Sequence, residues 1–113
     1  APVTFYSPAG GLGACGPAIA DTDMVVALRK ELFESFNTAN PLNQNLNPLC
    51  GTQIVITSKD VVGAQPVTAT IQDSCVGCQG DHGIDATPAL CTAVTGQADC
   101  LQQGTFQVSW SFV

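Results

Sequence analysis

The sequence predicts one small, mainly-β barrel domain stabilised by disulfides, and three observations carry that expectation. The chain has 113 residues, 45% of them apolar, which is room for a single core and a single domain over 1–113. Short runs that alternate apolar and polar residues recur between Gly-, Pro- and Asn-rich loops, and only two short stretches carry helical signals. Six cysteines, Cys15, Cys50, Cys75, Cys78, Cys91 and Cys100, stand in a short chain with only two lysines. An even count of this kind reads as a disulfide framework made in an oxidising compartment.

The elements follow in order. Val3-Thr4-Phe5-Tyr6 alternates as a half-buried strand does, with Val3 and Phe5 on the core side and Thr4 and Tyr6 on the other. Ser7 to Gly13 is a loop by composition; its glycines lack the lysine and the helix of a phosphate-binding loop. Met24 to Leu28 is an apolar run that reads as a buried strand, and Arg29 to Phe36 as a brief helix with Leu32, Phe33 and Phe36 on one stripe. Asn37 to Pro48 reads as a surface loop, Gly51 to Ser58 as a strand and Asp60 to Gln65 as a turn. Pro66 to Asp73 is a further strand, with Val67, Ala69 and Ile71 in phase, and Ser74 to Asp85 an irregular loop. Thr87 as N-cap and Pro88 at the first helical position predict a helix to about Val94. Gly104 to Val113 closes the chain as a strand in which Phe106, Val108, Trp110 and Phe112 alternate with polar residues. The expected core is Val3, Phe5, Val25, Ala27, Ile54, Ile56, Val67, Ala69, Ile71, Leu90 and those four.

Charge and length exclude several classes. Nine acidic against three basic residues give −6, and Arg29, Lys30 and Lys59 are the only cations. Nucleic acid and anionic membranes both need clustered cations, so neither is an expected partner. No apolar run approaches the roughly 18–20 residues of a membrane span. The chain opens Ala1-Pro2 with no signal peptide, as a secreted protein would after cleavage, and has no Asn-x-Ser/Thr acceptor. A neutral polar surface suits neutral ligands such as glycans.

The cysteines admit fifteen pairings. Cys75, Cys78, His82 and Cys91 have the residue types and first spacing of a zinc site. That reading would strand Cys100, whereas disulfides use all six. The Cys75-Val76-Gly77-Cys78 run lacks the βαβ surroundings of a thioredoxin-type motif. No metal and no cofactor is expected.

Seven phrases then stand in a telling order: Val3-Thr4-Phe5-Tyr6, Gly13-Ala14-Cys15-Gly16, Asp23 to Leu28, Asn47-Pro48-Leu49-Cys50-Gly51, Gln72 to Cys78, Gly83 to Pro88, and Val108 to Phe112. Together they cover nearly the whole chain and resemble the single-domain fungal expansin-related proteins called loosenins, and more widely the RlpA-like double-psi β-barrels. The resemblance implies a six-stranded double-psi β-barrel with two short helices and an open groove across one face. It implies a secreted monomer that binds cell-wall polysaccharide (cellulose, chitin or another wall glycan) and loosens it without appreciable hydrolysis. The second, carbohydrate-binding domain of full expansins is not in this chain.

Residue by residue, the family's groove threonine falls on Thr4 and the next groove-facing position on Tyr6. The first groove aspartate falls on Asp73. The key acid, in a motif usually reading Asp-Leu-Ser-Pro, falls on Asp85 of Asp85-Ala86-Thr87-Pro88. Bacterial expansins carry a groove tyrosine where this chain and its fungal relatives have Cys75. Carried over, the family's pairing gives Cys15–Cys50, leaves Cys75–Cys78, and joins the extra two as Cys91–Cys100.

The chemistry these residues permit is narrow. Asp73, in phase with Ala69 and Ile71, is expected to turn toward the barrel interior, where a carboxyl group is bonded or protonated; the plainer alternative is a loop anchor that accepts backbone N–H groups. Asp85 is expected at a groove edge, as the one acid if there is chemistry at all. Related family 45 glycoside hydrolases place a base aspartate just after the first-strand tyrosine, and Ser7-Pro8 stands there instead. RlpA-type lytic transglycosylases use a histidine early in the chain, whereas the lone His82 reads as an exposed loop residue. Trp110 and Phe112 read as core, with a sugar platform as the alternative. Two other functions use the same barrel: a cysteine-protease inhibitor or barwin-like defence protein, and a weak glycan-cleaving enzyme.

Overall fold

A computed structural model describes residues 1–59, 63–78, 80, 82–96 and 106–113. Its strands are β1 (Pro2–Phe5), β2 (Val25–Arg29), β3 (Gln53–Ser58), β4 (Val67–Cys75), β5 (Ile84–Ala86) and β6 (Phe106–Phe112). They close into a barrel in the order β1-β5-β2-β4-β3-β6. β1·β5 and β2·β4 run parallel and the other four pairs antiparallel. The helices are α1 (Lys30–Ser35) and α2 (Pro88–Thr95). The expected six-stranded double-psi barrel with two short helices is present.

β5 falls where an irregular loop was expected. Three residues are too few to show a period, and β5 is a strand because β1 and β2 flank it on both sides. Its middle residue, Asp85, therefore stands in the sheet and not at the end of a loop.

The core gathers Val3, Val26, Leu28, Ile54, Ile56, Ala69, Ile71, Ile84, Ala86 and Val108 around Phe33 and Leu90. Each fully buried aliphatic side chain contributes about 1.5–3 kcal/mol. On β2 the inward pair is Val26 and Leu28, not the expected Val25 and Ala27. Val25 to Leu28 are all buried, so the alternation is invisible in the sequence. Ala27 instead packs with Tyr6, Cys75 and Cys78 in a separate small cluster. Val67, Phe5, Phe106 and Trp110 sit only partly buried at the core edge.

β4 carries a second correction. Val26 pairs with Ile71, but the next residue, Ala27, pairs with Asp73. Gln72 is thus the extra residue of a β-bulge, and a one-residue insertion moves every later side chain to the opposite face. Asp73 leaves the phase of Ala69 and Ile71 and joins Ala27 outside the barrel core.

β6 supplies the third. Phe112 is 44% exposed and Phe36, at the end of α1, 42%. The β1·β6 ladder covers only Phe106 and Gln107, with Val108 N–H bonded to Ala1 O. The far end of β6 pairs with β3 alone. There the rings pack edge to face, His82–Trp110 at 6.1 Å, Trp110–Phe112 at 5.3 Å and Phe112–Phe36 at 5.7 Å. Trp110 Nε1 donates to His82 O at 2.8 Å, and His82 is exposed.

The Asn-rich loop is on the surface, yet Asn37 and Asn47 within it are buried. Asn37 Nδ2 donates to Asn40 O and Asn43 O, and Asn47 Nδ2 to Phe33 O, so the amides tie the loop to itself and to α1. Thr87 does stand at the N-cap of α2, with Gly96 in the left-handed region after its last turn. Its hydroxyl does not cap the helix; it donates to Asp23 O at 2.6 Å and fixes α2 to the start of β2.

The two disulfides Cys15–Cys50 and Cys75–Cys78 match the pairing the resemblance implies. Their bonding removes two thiols from the alternative zinc set. Cys91 is buried and oxidised; its expected partner, Cys100, lies outside the described residues, as do the turn residues Asp60, Val61 and Val62.

Candidate functional site

Four strands present one row of register partners on the outer face. Thr4 of β1 pairs with Asp85 of β5, Asp85 with Ala27 of β2, and Ala27 with Asp73 of β4. With strands about 4.8 Å apart, the two aspartate Cα atoms are about 9–10 Å from each other, with Ala27 between them. Tyr6 follows β1, and its N–H bonds Ala86 O at 2.9 Å, which continues the β1·β5 ladder and keeps Tyr6 on the Thr4 side. Tyr6 packs against the small cluster of Ala27, Cys75 and Cys78, and its hydroxyl donates to Asp73 Oδ2 at 3.4 Å. Periodicity places Ala27 in the core; the only sequence signal of its role is one small residue inside a bulky run.

Asp85 accepts from Thr4 Oγ1 at 3.1 Å, and its other oxygen lies 3.9 Å from Cys75 Sγ. Burial pushes its carboxyl above the ordinary carboxylate range; the Thr4 bond opposes this and the Asp73 charge adds to it. Burial, then the charges of Asp73 and Asp85, also push the Tyr6 phenol upward, so it stays a hydrogen-bond donor. Asp85 therefore holds its proton more tightly than an ordinary carboxyl group does.

Asp73 has another task. Its Oδ1 accepts Ala14 N–H and Ser74 N–H, each at 2.8 Å. Cys15 N–H bonds Gln72 O at 3.1 Å beside it. Gly13 makes this approach possible, because a Cβ there would sit 2.5 Å from Gln72 O and 2.7 Å from Ile19 Cδ1. With Tyr6 on its remaining oxygen, Asp73 is the loop anchor of the plainer alternative and at the same time positions Tyr6.

The position after Tyr6 holds a feature that sequence patterns do not reveal. Ser7 Oγ donates to Asp21 Oδ2 at 2.7 Å and Ala9 N–H to Asp21 Oδ1 at 2.9 Å. Those bonds, Ser7 first, hold the Asp21 carboxyl below its ordinary range. Asp21 is 15 residues after Tyr6 in the chain, so no local motif announces it. Among the described residues, no three His, Cys, Asp or Glu side chains converge as a metal site.

A stability measurement reads the Asp85 environment. A carboxyl raised in the folded state binds its proton at higher pH than in the unfolded chain. Its contribution is full below the unfolded pKa, about 3.9, and is lost as pH rises through the folded value. The melting temperature of Asp85→Asn minus that of the natural protein should therefore increase from pH 4 to pH 7. A difference that is flat or falls with pH would contradict the burial described.

No family model matches the sequence, and no curated protein matches it. The fold is similar to the solution structure of the fungal elicitor cerato-platanin. That likeness has a TM-score of 0.61 and 15% sequence identity, and spans 100% of this chain and 92% of that one. At this identity the likeness shows the double-psi β-barrel fold and assigns no residue a role.

Proposed function

We propose that the protein is a secreted, monomeric, expansin-like polysaccharide-binding protein that loosens wall glycan without appreciable hydrolysis. The carrying observation is the row Thr4–Asp85–Ala27–Asp73 with Tyr6 bonded to Asp73, which holds one carboxyl group raised by burial and one already committed to the scaffold. Inverting or retaining hydrolysis takes two working carboxylates. Here Asp73 spends both oxygens on Ala14, Ser74 and Tyr6. Asp85, Thr4 and Tyr6 can instead exchange hydrogen bonds with a glycan chain and compete with the bonds that hold it to its neighbours. Each exchange is worth only about 0.5–1.5 kcal/mol, so several along one chain are needed to free it. The charge of −6 with three cations fits a neutral polymer. Among the described residues, no helix is long and apolar enough to cross a membrane.

One observation favours a second reading, an inverting hydrolase. Asp21 reaches Ser7, where a base would stand, and its carboxyl is held low while that of Asp85 is held high. One experiment separates the two. Softening and new reducing ends are measured together on cellulose, chitin and xylan, for the natural protein, Asp85→Asn and Asp21→Asn. We expect softening with reducing ends near background, lost in Asp85→Asn and kept in Asp21→Asn. Reducing ends that rise in proportion to softening, and stop in both variants, would establish the hydrolase and overturn the loosening reading.

A further inference from the structure

A cleft of about 320 Å³ opens beside the row. Its volume is at the lower limit of small-molecule pockets, roughly 300–1,000 Å³. Val25 and Thr70, a register pair of β2 and β4, line it. They lie two positions along β2 from Ala27, so the cleft begins about 7 Å from the row. The β4 bulge builds both sites, since the extra residue that turns Asp73 into the row is Gln72, which lines the cleft.

The lining specifies a ligand class. Pro17, Met24 and Val25 offer apolar surface, and Asp23, Thr70 and Gln72 offer a carboxylate, a hydroxyl and an amide. Asp23 spends Oδ2 on Ala20 N–H at 2.9 Å. Among the described residues, the Thr70 hydroxyl and the Gln72 amide have no hydrogen-bond partner. No cation lines the cleft, and with a net charge of −6 an anionic ligand is disfavoured. Apolar walls with a few unspent donors and acceptors match a pyranose, which has C–H faces and an equatorial belt of hydroxyls.

We infer that this cleft is a second subsite, taking a further neutral pyranose unit of a glycan chain that lies across the row. The inference rests on the binding reading of the row, and it makes affinity depend on chain length. The Thr70 hydroxyl and Gln72 amide bond the sugar hydroxyls, while Met24 and Val25 pack on a ring face.

The test is a titration of the ¹⁵N-labelled full chain with the dimers and hexamers of β-1,4-linked glucose, N-acetylglucosamine and xylose, which also identifies the glycan. A hexamer should shift the amides of Ala27 and Asp85 together with those of Val25, Thr70 and Gln72; a dimer should shift the first set alone. In Thr70→Val with Gln72→Ala, the hexamer-to-dimer affinity ratio should fall about tenfold, from the loss of two hydrogen-bonding groups. Thr70→Val keeps shape and β-branching, and an unchanged amide spectrum of the free variant would show that the fold is intact. Hexamer shifts confined to the row, or an unchanged ratio in the variant, would overturn the cleft and leave the row reading standing. Shifts confined to the cleft would overturn the row reading instead. No shift with any hexamer would overturn both.

Discussion

Asp85→Asn is expected to abolish wall loosening while the barrel stays folded. The substitution keeps the shape and an oxygen that Thr4 Oγ1 can still reach, and removes the titrating proton and the charge. Its neighbours tolerate the change because, among the described residues, Asp85 makes no ion pair; its contacts are Thr4 and Cys75 Sγ. Neutralising a carboxylate that burial disfavours, with Asp73 adding repulsion, also relieves the site at neutral pH. Loosening should fall to the buffer level with the melting curve at pH 7 undiminished. Full loosening by the variant would remove Asp85 from the mechanism and leave binding across the row as the only role for that face. Loss of loosening together with loss of the fold would call for Thr4→Val, which removes the hydroxyl bonded to Asp85 and retains a β-branched residue suited to β1.

Removing the Cys15–Cys50 bridge is expected to cost a large part of the stability of the scaffold. The bridge spans 35 residues, and the loop-entropy relation gives about 4 kcal/mol for that length. Small domains have only about 5–15 kcal/mol in total. At about 4–8 °C per kcal/mol, Cys15→Ser with Cys50→Ser should melt roughly 15–30 °C lower. The loss reaches the site as well. Cys15 N–H holds Gln72 O, and Ala14 N–H holds Asp73, so loosening should weaken below the new melting temperature too. Cys75–Cys78 is the internal comparison. It spans 3 residues, so opening it should cost about 2 kcal/mol, half as much. Equal losses for both bridges, or an unchanged melt without Cys15–Cys50, would contradict the account.

Much of this protein is legible from its residues alone. In β1 and β3 the alternation holds, because one face meets the core and the other is partly solvated, and periodicity by itself sets Thr4 and Tyr6 opposite Val3. Pro88 and Thr87 mark the start of α2, six cysteines announce the cross-links, and the ordered phrases point to the barrel and to the four residues that stand in and beside one row. Other features are decided only in three dimensions. β2 is buried along its whole length, so nothing in Val25 to Leu28 says which residues turn inward. β5 has three residues and is a strand only because two neighbours pair with it. The phase of Asp73 depends on a bulge set by the match of β4 to β2, and the exposure of Phe112 on where β1 stops covering β6. Asp21 meets Ser7, and Gln72 shares a cleft with Met24, across chain separations no local pattern spans. Periodicity reports a face only while a strand is regular and its two sides differ; strand partners, bulges and loop crossings are non-local, and they turn a list of polar residues into a row with a cleft beside it.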